Sequence, residues 1–208
     1  MMNSQAKTEQ PFSIILFDLG NVLVQIDYAA FPRTLGFDHQ MTKSELFHLV
    51  EDEARAFEMG KSSAIEFLGV INRELGKSYT FDQFRKAWTA ILPSAVPGSQ
   101  ELLERLAGRY RLMMLSNTNE LHFQHTVEML PVLQRFERFF LSYEIGVLKP
   151  DRAIYEYVLK HVDVPAQRIL FIDDLEQNVV GAESVGIKGI VFRGIEHLLP
   201  ELERLRII

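Results

Sequence analysis

Asp18, the pair Asp173-Asp174 and the run Ser116-Asn117-Thr118-Asn119 each follow directly on an apolar stretch: Ile14 to Phe17, Ile169 to Ile172 and Leu112 to Leu115. A polar group at the end of a buried strand is placed for chemistry, because open parallel sheets bind ligands just beyond the carboxyl ends of their strands. If the three runs lie side by side, Asp18, Asp173 and Asp174 meet in one cleft. Clustered carboxylates repel, and their pKa values rise unless a cation offsets the charge. A hard divalent ion with oxygen ligands answers that need, and magnesium suits a site made of one or two carboxylates, water and a substrate phosphate. Lys149, in Val147-Leu-Lys-Pro-Asp151, offers a second positive charge. Pro150 favours the first helical position, which would put Lys149 at the mouth of a helix. Ser116 and Asn117 offer hydroxyl, amide and backbone donors ahead of a helix, a seat for an anion. Together these residues describe a phosphate pocket.

The elements that must position them follow from periodicity. The apolar run at Ile14 reads as a strand buried on both faces. Between Val24 and Pro97 the pattern turns helical. Thr42 with Glu45, Ser63 with Glu66 and Thr80 with Gln83 have capping-box spacing. Three amphipathic stripes follow these starts: Leu46, Leu49, Val50 and Phe57; Ile65, Leu68, Ile71 and Leu75; Phe81, Phe84, Trp88 and Ile91. Residues Asp27 to Leu35 make a weaker fourth helix, interrupted by Pro32. Such a block is too large for a simple crossover and reads as a bundle inserted over the sheet edge. Beyond the linker Pro93 to Gly98, strands and helices alternate: a helix at Ser99 to Arg109, a strand at Leu112 to Leu115, a helix near Glu120 to Leu130, a short strand near Phe139 to Ser142 and a helix from Pro150 to His161. A strand at Ile169 to Ile172, a helix near Val179 to Val185, a strand at Gly189 to Phe192 and a helical tail complete the chain. The expected fold is α/β, a doubly wound parallel sheet with right-handed crossovers and a helical cap inserted after the first strand. The expected division is a catalytic core at 12–24 and 97–208 and a cap at 25–96.

Composition bounds the partners. A chain of 208 residues, 47% of them hydrophobic, buries a full core with room for the insertion. A net charge of -6 argues against nucleic acid or an anionic membrane as the main partner. The absence of cysteine removes thiol nucleophiles and thiolate metal sites. The polar segment Met1 to Pro11 lacks the apolar centre of a signal peptide, and no run approaches a membrane span, so a cytoplasmic protein is expected. Nothing in the pattern reads out an oligomeric state.

Asp18 in Phe-Asp-Leu-Gly-Asn-Val, Ser116 after its apolar strand, Lys149 before Pro150, and Asp173-Asp174 followed by Asn178 resemble, in order, the four motifs of the haloacid dehalogenase-like hydrolase superfamily. The resemblance runs from Phe12 to Phe192, and Asp-Leu-Gly-Asn with Ser-Asn-Thr-Asn looks most like the α-D-glucose-1-phosphate phosphatase branch. It implies a Rossmann-like core and a magnesium-dependent phosphatase for a small phosphorylated metabolite, a sugar phosphate above others. Asp18 would be nucleophile and metal ligand, forming an aspartyl-phosphate that water hydrolyses. Ser116, Asn117 and Lys149 would hold the phosphoryl oxygens, and Gly20, through its backbone oxygen, would join Asp174 and Asp173 at the metal. Gly20 departs from the family, most of whose phosphatases carry a second aspartate there as general acid and base. Asn21, Asp27, His122 or a metal-ordered water are the candidates to replace it. A sugar 1-phosphate, with its more acidic leaving hydroxyl, would suffer least from the loss. Two rival readings remain: a carbon–halogen hydrolase, in which the same aspartate attacks carbon, and a non-catalytic binding protein on the same scaffold. Asn178 reads equally as loop support or ligand contact. His122 and His125 read as packing or surface groups, Phe81, Phe84 and Trp88 as cap interior, and Gly181 and Gly186 as packing and turn glycines.

Overall fold

A computed structural model describes residues 10–36 and 43–208, the side chains of 43–49 excepted. The chain runs β1 (Ile14–Phe17), then four helices α1 (Ala30–Leu35), α2 (Lys43–Glu58), α3 (Ala64–Leu75) and α4 (Phe81–Thr89). It continues through α5 (Ser99–Leu106), β2 (Arg111–Ser116), α6 (Glu120–Met129), β3 (Phe136–Leu141), α7 (Ser142–Ile145) and α8 (Arg152–Lys160). The last elements are β4 (Ile169–Asp173), α9 (Glu176–Glu183), β5 (Lys188–Val191) and α10 (Ile195–Arg204).

The five strands form one parallel sheet in the order β3-β2-β1-β4-β5. The three strands that carry polar ends are therefore its centre: Phe17 lies opposite Met114 on one side and Ile172 on the other. Strand alternation splits the core. Ile15, Phe17, Leu112, Met114, Leu170 and Ile172 face the cap, α5 and α10, while Ile14, Leu16, Met113, Leu115, Ile169 and Phe171 face α8 and α9. Both faces are dry, which is why the strand sequences are continuous apolar runs rather than alternating ones.

The helical insertion is present, and two of its capping boxes form as expected: Ser63 with Glu66 and Thr80 with Gln83 each exchange both hydrogen bonds. The pairing of Thr42 with Glu45 and the side chains of Leu46 and Leu49 lie outside the described residues. Pro32 is the third residue of α1, where the backbone N–H has no helical partner to lose, so the helix tolerates it. Phe31, Phe57, Phe67, Phe84 and Trp88 make an aromatic cap core with rings 4.9–6.4 Å apart. Ile65 and Phe81, expected inside, are exposed: Ile65 lies off the Phe67, Leu68 and Ile71 face, and Phe81 opens α4 at the edge of the aromatic cluster, its ring 6.3 Å from that of Phe84. The two linkers to the cap pair with each other: Gln25 N–H donates to Ser94 O (2.8 Å), Asp27 N–H to Ile91 O (2.8 Å) and Val96 N–H to Leu23 O (2.9 Å).

Some boundaries differ from the expectation. β3 begins at Phe136 and stops at Leu141, since Ser142 opens α7. The helix expected from Pro150 starts at Arg152: Asp151 caps it through its carboxylate and Ala153 N–H (2.9 Å), and the Lys149–Pro150 bond before it is cis. Among the described residues no helix is long and apolar enough to cross a membrane.

Candidate active site

The site is assembled where β1, β2 and β4 end. Asp18 N–H continues the sheet by donating to Ile172 O (2.9 Å), and the chain then turns sharply. Asn21 N–H donates to Val24 O (2.7 Å) and Val24 N–H to Leu19 O (3.0 Å), fixing the Gly20 peptide between them. Asn21 takes a positive φ of 55°, which an asparagine tolerates better than most residues. From there its amide donates to Asp174 Oδ2 (3.0 Å), so the turn after β1 orients a carboxylate after β4.

Asp18, Asp173 and Asp174 each bring a carboxylate oxygen within 4.8 Å of the others. The acids thus converge, as adjacent parallel strands that end level require. Lys149 Nζ donates to Asp18 Oδ1 and to Asp173 Oδ2, each at 2.6 Å, with 2% of its side chain exposed. Burial disfavours the ammonium, but the Asp18 and Asp173 carboxylates outweigh it and raise the Lys149 pKa. Burial pushes the Asp18 carboxyl up to about 7, with Lys149 opposing and Asp173 adding to the rise. Burial also raises Asp174, with Asn21 opposing. Three acids facing one ammonium leave an excess of negative charge, and hard oxygen donors so close together fit a hard divalent cation.

The three acids are not equivalent. Asp173 is fully enclosed: Oδ1 accepts from Leu175 N–H (2.8 Å) and Asn178 Nδ2 (2.9 Å), and Oδ2 from Lys149 Nζ and Asn178 Nδ2 (3.0 Å). A carboxylate has room for about four such bonds, so Asp173 is committed to orienting Lys149 and its own loop, while Asp174 is only half-buried. Asn178, left between two readings by the sequence, supports Asp173. Its own Oδ1 is buried with no partner among the described residues.

Asn117 is likewise committed. Its Nδ2 donates to Lys149 O (2.9 Å) and its Oδ1 accepts Lys149 N–H (2.8 Å), a two-point clamp that holds the lysine loop against the end of β2. What Asn117 has left for an anion is its backbone. Ser116 is buried at the strand end beside it and, with Gly20, Asn117 and Thr118, lines the floor of a cavity of about 270 Å³. The roof and walls come from the cap and its linkers: Tyr28, Glu51, Arg55 and Glu58 on one side, Ile26, Trp88, Ile91 and Leu92 on another.

The side chains named as candidates for the proton donor at Gly20 are all engaged elsewhere. Asn21 holds Asp174. Asp27 pairs with Arg33 (2.6 Å), whose guanidinium keeps its carboxyl below the usual range. His122 lies flat on Trp88, with Nε2 2.9 Å from Trp88 O and Nδ1 3.2 Å from Asn119 Nδ2, which fixes a neutral ring; burial lowers its pKa to about 4. His125 reaches Leu92 O (3.2 Å), so both histidines fasten α6 to the cap, in keeping with a packing role.

A family model of haloacid dehalogenase-like hydrolases matches residues 12–186. The chain belongs to that family. This hydrolase is 27% identical to a D-ribitol-5-phosphate phosphatase from Bacteroides thetaiotaomicron over 84% of its own length and 88% of the relative's. It is 30% identical to a sesquiterpene phosphatase from Aspergillus oryzae over 86% and 89%. It also matches a drimenol cyclase from Aspergillus calidoustus, but spans only 35% of that protein's length. A solved haloacid dehalogenase family enzyme from Bacteroides thetaiotaomicron, in complex with magnesium and inorganic phosphate, superposes with a TM-score of 0.79 at 27% identity, covering 90% of the hydrolase and 98% of that chain.

Sequence reasoning passed over Glu58 and the supporting role of Asn117. Glu58 is one of several acids on α2, and only the nearby Gly60, marking the helix end, separates it from the rest.

Proposed function

We propose that this hydrolase is a magnesium-dependent phosphatase acting on a small phosphorylated metabolite, a sugar or polyol phosphate first among them. The observation that carries the reading is the convergence of Asp18, Asp173 and Asp174, with Lys149 bonded to the first two, beside a cavity lined by Leu19, Gly20, Ser116 and Asn117 and roofed by the cap. The relatives named for ribitol 5-phosphate and for a magnesium and phosphate complex support it. Asp18 and Asp174, with the Gly20 carbonyl, would hold the metal, and Asp173 stands behind them as support. When bound, the ion offsets charge on the phosphoryl oxygens.

Asp18, at the end of β1 next to the cavity-lining Leu19 and Gly20, is the nucleophile. Attack on phosphorus forms an aspartyl-phosphate and expels the alcohol; water then releases phosphate and frees the carboxylate. Lys149 steadies the attacking carboxylate and then a phosphoryl oxygen, and Ser116 with the backbone donors after β2 seats the others. Residues 12–24 and 97–208 serve as catalytic core, and 25–96 as a cap that excludes water and selects the leaving group. The acids and Arg55 on α2 suit a polyhydroxy alcohol. The wall of Ile26, Trp88, Ile91 and Leu92 favours a second reading, an isoprenoid phosphate, in line with the sesquiterpene phosphatase relative.

A screen of sugar, polyol and isoprenyl monophosphates with and without magnesium, beside Asp18→Asn, tests the proposal. Magnesium-dependent release of phosphate that vanishes in Asp18→Asn is expected. Undiminished turnover in that variant, or halide release from 2-haloacids under chelation, overturns it.

A further inference from the structure

Gly20 leaves the phosphatase reading without a donor for the leaving group, and the residues nearest the gap are committed elsewhere. One carboxyl in the cavity is not. Glu58 is the last residue of α2, and α2 ends in a Schellman turn: Gly60 N–H donates to Phe57 O (3.0 Å) and Lys61 N–H to Ala56 O (2.8 Å), with Gly60 at φ +65°. The turn is pinned to the core. Ser142 Oγ accepts Thr118 N–H (2.9 Å) and donates to Glu58 O (2.6 Å), so one hydroxyl joins the backbone of Glu58 to the phosphate loop after β2. The Glu58 side chain lines the same cavity as Gly20, Ser116 and Asn117. We infer that Glu58 is the catalytic acid and base of this hydrolase, delivered by the cap in place of the side chain that Gly20 lacks.

Two further features fit that role. The carbonyl end of a helix disfavours a carboxylate, so Glu58 holds its proton more readily than an exposed glutamate. Burial in the cavity wall pushes its pKa up to about 7, against the pull of Arg55. The inference rests on the phosphatase reading. In the first step Asp18 Oδ bonds to phosphorus, the bond from phosphorus to the leaving oxygen breaks, and the Glu58 proton moves to that oxygen. In the second step the Glu58 carboxylate takes a proton from water, whose oxygen bonds to phosphorus as the Asp18 oxygen leaves. Glu58 ends protonated, as it began.

The test is pre-steady-state phosphoryl transfer in the magnesium-loaded full chain, comparing wild type with Glu58→Gln on glycerol 1-phosphate and on p-nitrophenyl phosphate, whose leaving group needs no acid. Phosphoenzyme formation from glycerol phosphate should fall by about 10²-fold, while the nitrophenol burst stays within about threefold of wild type. Gly20→Asp placed on top of Glu58→Gln should recover at least about tenfold on glycerol phosphate, since the new carboxyl has only the flexible end of Ile26, 2.6 Å from the added Cβ, to displace. An equal fall on both substrates, or no fall on either, overturns the assignment; so does recovery in Gly20→Asp that is the same for both phosphates. A wild type that forms no phosphoenzyme from p-nitrophenyl phosphate instead refutes the phosphatase reading itself. Should Glu58→Gln not fold, Glu58→Asp, with the carboxyl withdrawn by one methylene, must show the same split between substrates.

Discussion

Gly60→Ala isolates the docking of the cap from the chemistry on the core. Gly60 sits at φ +65°, and a Cβ added there would lie 2.1 Å from the Tyr143 carbonyl oxygen on α7, whereas ordinary contact begins at 3.4 Å. A backbone atom cannot rotate away, so the end of α2 must retreat from α7 by more than 1 Å. The retreat breaks the bond from Ser142 Oγ to Glu58 O, worth about 1 kcal/mol, and the alanine adds roughly 1–2 kcal/mol for its left-handed backbone. A loss of about 2–3 kcal/mol lowers the melting temperature of a chain this size by roughly 5–10 °C. Misplacement of a catalytic group by about 1 Å can cost about 10²-fold in rate, and that drop is expected for alkyl phosphates. The affinity for magnesium, measured by titration calorimetry, should hold, because Asp18, Asp174 and Lys149 are untouched. Gly76→Ala is the control. Gly76 has φ +59° but nothing within 4 Å of an added Cβ, so that variant carries the backbone strain without the displacement and should keep its turnover. Gly60→Ala with wild-type kcat, or Gly76→Ala with the same loss, refutes the docking argument.

Other perturbations act on the core. Asp18→Asn should abolish phosphoenzyme formation, detectable by intact mass after an acid quench, while leaving the fold intact by circular dichroism. Lys149→Met strands Asp18 and Asp173 in a buried site and should cost about 3 kcal/mol in urea unfolding with metal chelated. That deficit has a definite pH sense. Asp18 is already raised from 3.8 to about 7, and losing the ammonium raises it further, so the folded form binds a proton that the unfolded form lacks. Stability conferred by that proton is complete below pH 3.8 and is lost as pH rises through the folded pKa, about 7 in wild type and higher in the variant, so the loss runs further in the variant and the deficit should be smaller at pH 5 than at pH 7.5. A pH-independent deficit counts against the buried pair. Asn117→Ala removes both bonds to the Lys149 backbone and should lower kcat with KM little changed; an unchanged kcat would show that the lysine loop holds itself.

The sheet was legible in the sequence because its strands are buried on both faces, which leaves apolar runs that nothing else in the chain imitates. Asp18, Asp173 and Asp174 were legible for the same reason, since a carboxylate directly after such a run sits where a parallel sheet opens to ligand. Lys149 was harder to place, and its helix began later than Pro150 implied because Asp151, whose carboxylate accepts from Ala153 N–H, is the better cap. What the sequence hid are relations set by tertiary packing. Asn117 reads as an anion donor until the loop carrying Lys149 is seen to occupy both ends of its amide. His122, read as a packing or surface group yet also named among the candidate acids, leaves that second list once Trp88 is seen to fix its ring. Glu58 is the clearest instance: helical periodicity marks the face of α2, but only the contact of its last turn with Ser142 decides which acid on that helix lines the cavity beside Ser116 and Asn117. A cap that brings a proton donor to its core can lose the acid after β1 without losing the reaction. That makes the end of α2 the place where changes in the insertion act on rate as well as on substrate choice.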